Sequence, residues 1–341
     1  MDGHSVFSVE NPLVDIIARV DASFLAARGK RPGTMHLIDE AESAALVAAL
    51  EHPTGDAGAP RSLLAAPRTL PGGSAANTLR GVAWLDRGGE LAPPLYGGAV
   101  GRDSLGDRYH AALAAAGVEP SLVRTDARTG TSIILVTPDG ERTMNTHLGA
   151  CRLYRAGDLA LDRLARSRVL YLTGYLWDTE NQREAAEAAA AFARAHGIPV
   201  AFDLADPWVV ERYHARFRDW VPRSVDLLFA NGKELALLTG TSCDEDCMEA
   251  AKAVAPVVVM KVGARGCWVG GRAVARAELV PTVAVKPLDT TGAGDSFAGG
   301  WLYAMLRGRE PAACARLANE VARGIVGVYG CDYEAVGAPP V

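Results

Sequence analysis

The sequence predicts an α/β protein: a three-layer α/β/α core around a central, mostly parallel sheet, with a small β-sheet lid standing over it. Three observations carry this expectation. From about residue 168, short apolar or β-branched runs recur with few charges: "RVLYLTG", "IPVAFDL", "VDLLFAN" and "APVVVMKVG". Helix-like stretches lie between them, such as "TENQREAAEAAAAFARAHG", which starts at a threonine and ends at Gly197. Apolar strands separated by helices imply a largely parallel sheet buried on both faces. The first half breaks that rhythm, because "VDIIARVDASFL" and "GTSIILVTPDGERTMNTHLG" read as strands and a "TPDGE" turn folds the second into a hairpin.

Ligands in sheets of this kind collect at the carboxyl ends of the strands. Residues 53–68, rich in Pro, Gly and Ala, read as an exposed connection. At 341 residues the chain is long enough for one large α/β domain or two smaller ones.

Composition narrows the function classes. Charged residues are 22% of the chain and the formal net charge is -5, so no basic excess is available to neutralise a nucleic acid. No apolar run approaches the roughly 20 residues of a membrane-spanning helix, and the start "MDGHSVFSVENP" lacks the features of a signal peptide. Of the cysteines at 151, 243, 247, 267, 314 and 331, only Cys243 and Cys247 are close, with no second pair to complete a zinc set. Reduced cysteines and a cytoplasmic location are the expectation.

The chemistry concentrates in "DTTGAGDSFAGGWLYAM", which begins at Asp289. Glycines at 292 and 294 let successive amides, with Ala293 between them, turn toward one point. The following helix adds its positive N-terminal end. A phosphoryl group gaining charge would be stabilised there. Asp295 then stands where a carboxylate can take the proton of an attacking hydroxyl. The plainer alternative is a glycine-rich turn with Asp295 capping the helix. Neither GxxxxGK[ST] nor the third glycine of GxGxxG is present, which disfavours a P-loop and a dinucleotide fold.

Two glycine motifs, "PGGSAANTLRGVAWL" near residue 71 and "DTTGAGDSFAGG" near 289, resemble those of the ribokinase-like (phosphofructokinase-B) family of small-molecule kinases. "NPLVDIIARVDASFL", "TGTSIILVTPDGERTMNTHLGA", "LYLTGYLWD", "DLADPWV", "VDLLFANGKEL" and "VYGCDY" are most similar to its adenosine-phosphorylating branch. The resemblance covers nearly the whole chain. It implies one domain over 1–341, with about nine core strands and a discontinuous lid from about 12–38 and 122–148. It implies transfer of the ATP γ-phosphoryl group to the 5′-hydroxyl of a nucleoside, as in purine salvage, with Mg²⁺.

Site residues follow from the same resemblance. Asp295 takes the place of the catalytic base, and the backbone of Gly292, Ala293 and Gly294 that of the anion hole. Asp15 resembles the ribose-gripping aspartate, with Asn11 beside it in "NPLVD" and Gly72, Gly73 and Asn77 as its partners; alternatively Gly72 and Gly73 form a turn before a helix that Ser74 caps. Leu13, Met35, Ser132, Met144, Leu148 and Tyr175 align with the base pocket. Asn231 and Glu234 match the NxxE motif that organises magnesium through water, and also read as a helix cap and its capping-box partner. Lys261, Gly263 and Gly266 match a nucleotide-binding KxGxxG, against a bare strand-to-hairpin turn. Asn319 falls at the adenine edge, against a plain helix-surface asparagine, and Arg142 projects from the lid hairpin, either to close over phosphate or as an exposed arginine without a role. Asp289 and Thr291 stand where some members hold potassium. His147 and Ala76 depart from the pattern, leaving adenosine, inosine and guanosine open. A sugar or sugar-phosphate kinase, or an inactive ligand-binding relative, are the alternatives; monomer and homodimer both remain open.

Overall fold

The computed structural model describes residues 3–51, 67–139 and 141–341. The strands, in chain order, are β1 (Phe7–Val9), β2 (Leu13–Arg19), β3 (Met35–Leu37), β4 (Arg68–Pro71), β5 (Leu95–Gly101), β6 (Glu119–Thr125) and β7 (Gly130–Val136). After these come β8 (Arg142–His147), β9 (Leu170–Thr173), β10 (Val200–Asp203), β11 (Leu227–Asn231), β12 (Val257–Lys261), β13 (Cys267–Gly270) and β14 (Glu278–Val280).

The four apolar runs become β9, β10, β11 and β12, adjacent and parallel in a nine-stranded sheet of order β14-β13-β12-β11-β10-β9-β1-β5-β6. Only β13 and β14, at one edge, run antiparallel to their neighbours. Helices cover both faces, as continuous burial of these strands requires. On one face, Ser74–Leu85, Ala293–Leu306 and Pro311–Ile325 pack Leu79, Phe297, Trp301 and Leu302 into one apolar cluster. On the other, Glu180–Ala195 and Pro207–Ser224 enclose Trp177, Phe202, Phe217 and Trp220. Among the described residues no helix is long and apolar enough to cross a membrane.

A five-stranded sheet of order β3-β8-β7-β2-β4 stands over the large one. Its composition differs from the expected lid in two respects. Residues 122–125 lie in β6, at the edge of the large sheet, because β6 continues the parallel ladder from β5. Arg68–Pro71 supplies β4, which pairs antiparallel with β2. The strand read through "VDIIARVDASFL" stops at Arg19, where Asp21 caps a short helix, Ala22–Ala26, by accepting from Phe24 N at 3.0 Å. The connection expected over 53–68 falls outside the described residues up to position 66, as does Gly140 of the expected "TPDGE" turn.

One close approach sets the site. A Cβ on Gly299 would lie 2.7 Å from the carbonyl oxygen of Thr78. The bare glycine therefore lets the helix Ala293–Leu306 lie directly against Ser74–Leu85. The first turns of both helices meet at the carboxyl ends of the strands.

Candidate active site

The helix Ala293–Leu306 begins at Gly292, whose φ of 72° is the left-handed conformation that glycine adopts without strain. A side chain there would also strike Cys331 Cβ at 2.6 Å. Asp289 builds the turn before it: one carboxylate oxygen accepts from Thr291 N at 2.8 Å and Thr291 Oγ1 at 2.6 Å, the other from Gly330 N at 2.8 Å. Among the described residues, the amides of Gly292, Gly294 and Asp295 donate to no protein acceptor, whereas that of Ala293, expected in the anion hole, donates to Thr290 O at 3.3 Å; the free amides cluster at a helix N-terminus.

Asp295 sits in the first turn, but it does not cap the helix. Its two oxygens accept from Ser74 Oγ at 2.7 Å and Asn77 Nδ2 at 2.9 Å. Ser74 is thus turned away from capping its own helix, whose N-cap is Gly73. Burial raises the Asp295 pKa, opposed by the Asn77 and Ser74 hydrogen bonds. The carboxylate is half-buried and faces a cavity of about 640 Å³.

At one end of the cavity the inner face of the small sheet forms ordered rows. Register places Met35 beside Met144, and Met144 beside Ile134. The next row runs Leu37, Thr146, Ser132 and Asp15 across four strands. Leu13 and Leu148 border it. A polar stripe therefore lies between apolar rows. Ser132 and Thr146 share a hydrogen bond at 3.2 Å in which either hydroxyl donates. Asp15 closes the stripe. Among the described residues nothing donates to its carboxylate, and burial followed by the Asp295 charge pushes its pKa up to about 7. Tyr175 lines the same region.

At the other end, Asn231 and Glu234 form a reciprocal capping box: Glu234 N donates to Asn231 Oδ1 at 2.9 Å and Asn231 N donates to Glu234 Oε2 at 2.7 Å. Burial pushes Glu234 up to about 7 against the pull of Lys261. Lys261, at the end of β12, pairs with Asp203 at 2.8 Å. Burial pulls its pKa down, but Asp203 and Glu234 hold it above the ordinary value. The KxGxxG segment is the turn of the β12–β13 hairpin, and Gly263 and Gly266 also line the cavity. Asn319 does too, with its amide donating to Val280 O at 3.1 Å. Arg142 crosses from the small sheet to the anion loop, where it donates to Thr291 Oγ1 at 2.7 Å and Thr290 Oγ1 at 2.9 Å.

The site residues expected from the sequence converge on this one cavity except Gly72 and Asp289, and the two departures from the pattern, His147 and Ala76, do not line it. Gly72 lies behind Asp15, whose carboxylate occupies the space where a Cβ would go. Asp289 is turned inward to hold the loop. Asn11 reaches the cavity with its amide oxygen already engaged by Gln182 Nε2 at 2.6 Å. No cluster of three His, Cys, Asp or Glu side chains arranged to hold a metal occurs among the described residues. With Glu234 and Asn231 bonded to each other, their donor set suits an ion held through its water shell.

The sequence reading missed Glu10, Thr146 and Asp203, and it named Ser74 only as a helix cap in the alternative reading, not as a partner of Asp295. Asp203 lay in view within "DLADPW", and its partnership with Lys261 spans 58 positions.

The pfkB family carbohydrate kinase pattern matches residues 43–336. The chain belongs to the pfkB family of carbohydrate kinases. Its fold is similar to that of adenosine kinase from Sinorhizobium meliloti, with a TM-score of 0.85 and 33% identity, covering 99% of this chain and 96% of that one. The sequence is 30% identical to a nucleoside kinase of Methanothermobacter thermautotrophicus over 76% of this chain and 79% of the relative. It is 28% identical to an uncharacterized sugar kinase of Archaeoglobus fulgidus over 69% and 92%. Within the pfkB family, its relatives thus carry the names of adenosine, nucleoside and sugar kinases.

Proposed function

We propose that this pfkB kinase phosphorylates the 5′-hydroxyl of a purine nucleoside, adenosine foremost, from MgATP. The observation that carries the reading is the shared cavity: one carboxylate beside a set of free amides, a second carboxylate without a partner, and flat apolar rows on either side of it. Asp15 is suited to accept from vicinal ribose hydroxyls, and the rows of Met35, Met144, Ile134, Leu13 and Leu148 suit the faces of a purine. The base end lies under the small sheet, and ATP enters from the side of Asn231, Gly263, Gly266 and Asn319.

Asp295 draws the proton from the 5′-hydroxyl as that oxygen attacks the γ-phosphorus. Its raised pKa makes it the stronger base, and Ser74 and Asn77 fix its direction. The amides of Gly292, Gly294 and Asp295 hold the charge of the transferring group. Asn231 and Glu234 would hold magnesium through water, and the ion supplies charge neutralisation on the phosphates. Arg142 ties the small sheet over the loop and so excludes water that would compete as acceptor.

A phosphorylated sugar fits less well. Arg142 is the only basic side chain that the small sheet contributes to the cavity among the described residues, and two threonines already engage it. ADP release over adenosine, inosine, guanosine, ribose and fructose 6-phosphate tests the reading. Adenosine or another purine nucleoside is expected to give the highest kcat/KM. A sugar that outruns every nucleoside, or no turnover with any acceptor, would overturn it.

A further inference from the structure

The first turn of the helix Ser74–Leu85 is capped from a distant part of the chain. Its N-cap, Gly73, has no side chain to offer. The carboxylate of Glu10, just beyond β1, accepts from Ala75 N at 3.2 Å in its place. The other oxygen of Glu10 accepts from Thr173 Oγ1 at 2.7 Å, at the end of β9. Glu10 is 2% exposed and reaches the cavity wall. It therefore joins two core strands to the one helical turn whose Ser74 and Asn77 grip Asp295.

We propose that Glu10 is a positioning residue for the phosphoryl-transfer step: by bracing the first turn of Ser74–Leu85 against β1 and β9, it sets the direction of the Asp295 carboxylate. The proposal rests on the reading of Asp295 as the proton acceptor. An orphan amide at a helix start is commonly met by a side chain from its own N-cap. Here the acceptor is supplied by a residue 65 positions away, which ties the helix end to the strand ends.

The charge state of Glu10 belongs to the same device. Burial pushes its pKa up to about 8, opposed by Thr173 and Ala75 N. The titratable groups that face it are Asp295, the phenols of Tyr96, Tyr109, Tyr171 and Tyr175, and the thiol of Cys151. Burial raises every one of those phenols and the thiol, so they stay neutral. Among these groups, Asp295 is the neighbour whose charge meets that of Glu10. While Glu10 keeps its proton, Asp295 is the carboxylate free to ionise; once Glu10 ionises, two like charges face each other across the reacting centre.

The experiment is steady-state kinetics from pH 6 to 9.5 on the full chain with adenosine and MgATP. Glu10→Gln keeps one acceptor oxygen and cannot ionise. It is expected to lower kcat about ten-fold at neutral pH through misplacement of Asp295, to leave the adenosine KM within about two-fold, and to abolish a fall in kcat above about pH 8. Thr173→Val removes the bond that lowers the Glu10 pKa, so the alkaline fall should move to higher pH; this arm stands even if Glu10→Gln does not fold. Native-state hydrogen exchange should show the Ala75 amide opening faster in Glu10→Gln. A wild-type kcat with an unchanged alkaline limb, or a raised KM with kcat intact, overturns the proposal. Asp295→Asn in the same assay separates the two ideas. If it retains turnover, the reading of Asp295 fails. If it is dead while Glu10→Gln is normal, only the role of Glu10 falls.

Discussion

The two ends of the cavity are built in opposite ways. The anion loop is made of consecutive residues, Asp289 to Asp295, and its shape follows from a left-handed glycine and one inward-turned carboxylate. The end under the small sheet is a mosaic drawn from four strands, with Leu13 and Asp15 on β2, Leu37 on β3, Ser132 on β7 and Thr146 on β8. Chemistry that needs amides at fixed spacing can be written in a short local stretch. Recognition of a flat ligand needs a surface, and a surface is assembled from segments far apart in the chain. Substitutions at the first end should therefore act on turnover, and those at the second on affinity and selectivity.

The sharpest break would come at Asp295. Asp295→Asn is expected to lower kcat by about 10³-fold or more, in the range of a lost general base, with adenosine affinity by calorimetry kept within a few fold. Gly292→Ala comes next. The alanine would have to hold a φ of 72° and meet Cys331 Cβ at 2.6 Å, so the amides shift. Loss of one such donor costs about 10²-fold in kcat, and the melting temperature should fall as well.

Asp15→Asn should act on binding instead, raising the adenosine KM about ten-fold with a smaller change in kcat. It carries a stability signature too. The folded-state pKa of about 7 stands above the ordinary 3.8, so the folded protein holds this proton more tightly than the unfolded chain does. That contribution is intact below about pH 4 and is lost as pH rises through about 7. The ligand-free Asp15→Asn protein should consequently melt higher than the wild type at pH 8 and no higher at pH 4.

The smallest effect belongs to the polar stripe. The Ser132–Thr146 pair always leaves one hydroxyl free to donate and lone pairs free to accept. Ser132→Ala with Thr146→Val should change kcat/KM ratios among adenosine, inosine and purine riboside by up to about ten-fold while leaving kcat for adenosine nearly unchanged. Equal changes across all three nucleosides would mean that the stripe does not face the base edge.

The same contrast explains what could be read from the chain. The parallel centre of the large sheet was legible because β9 to β12 are buried and apolar up to their carboxyl ends, where Thr173, Asp203, Asn231 and Lys261 stand; the full count of strands came only with the family resemblance. Asp295 and its amides were legible because their geometry is local. Glu10 was not: a glutamate near the start of a chain gives no sign that it will cap a helix 65 positions later. Ser74 read as a cap and proved to be a ligand of Asp295, because helix packing through Gly299 brings the two first turns together. β4 was missed because the four residues Arg68–Pro71 carry no alternation of their own and become a strand only against β2. Gly72 looked like a contact with the substrate and lies behind the Asp15 carboxylate.

The central claim is spatial, and a crystal structure of the protein with adenosine and a non-hydrolysable ATP analogue tests it most directly. The expected complex has the 5′-oxygen within hydrogen-bonding distance of Asp295, the ribose hydroxyls on Asp15, the purine beneath the rows of Met35, Met144 and Leu148, and the γ-phosphate at the amides of Gly292 and Gly294. A nucleoside bound with its 5′-oxygen turned away from Asp295, or phosphates seated elsewhere than the amides of residues 292–295, would contradict it.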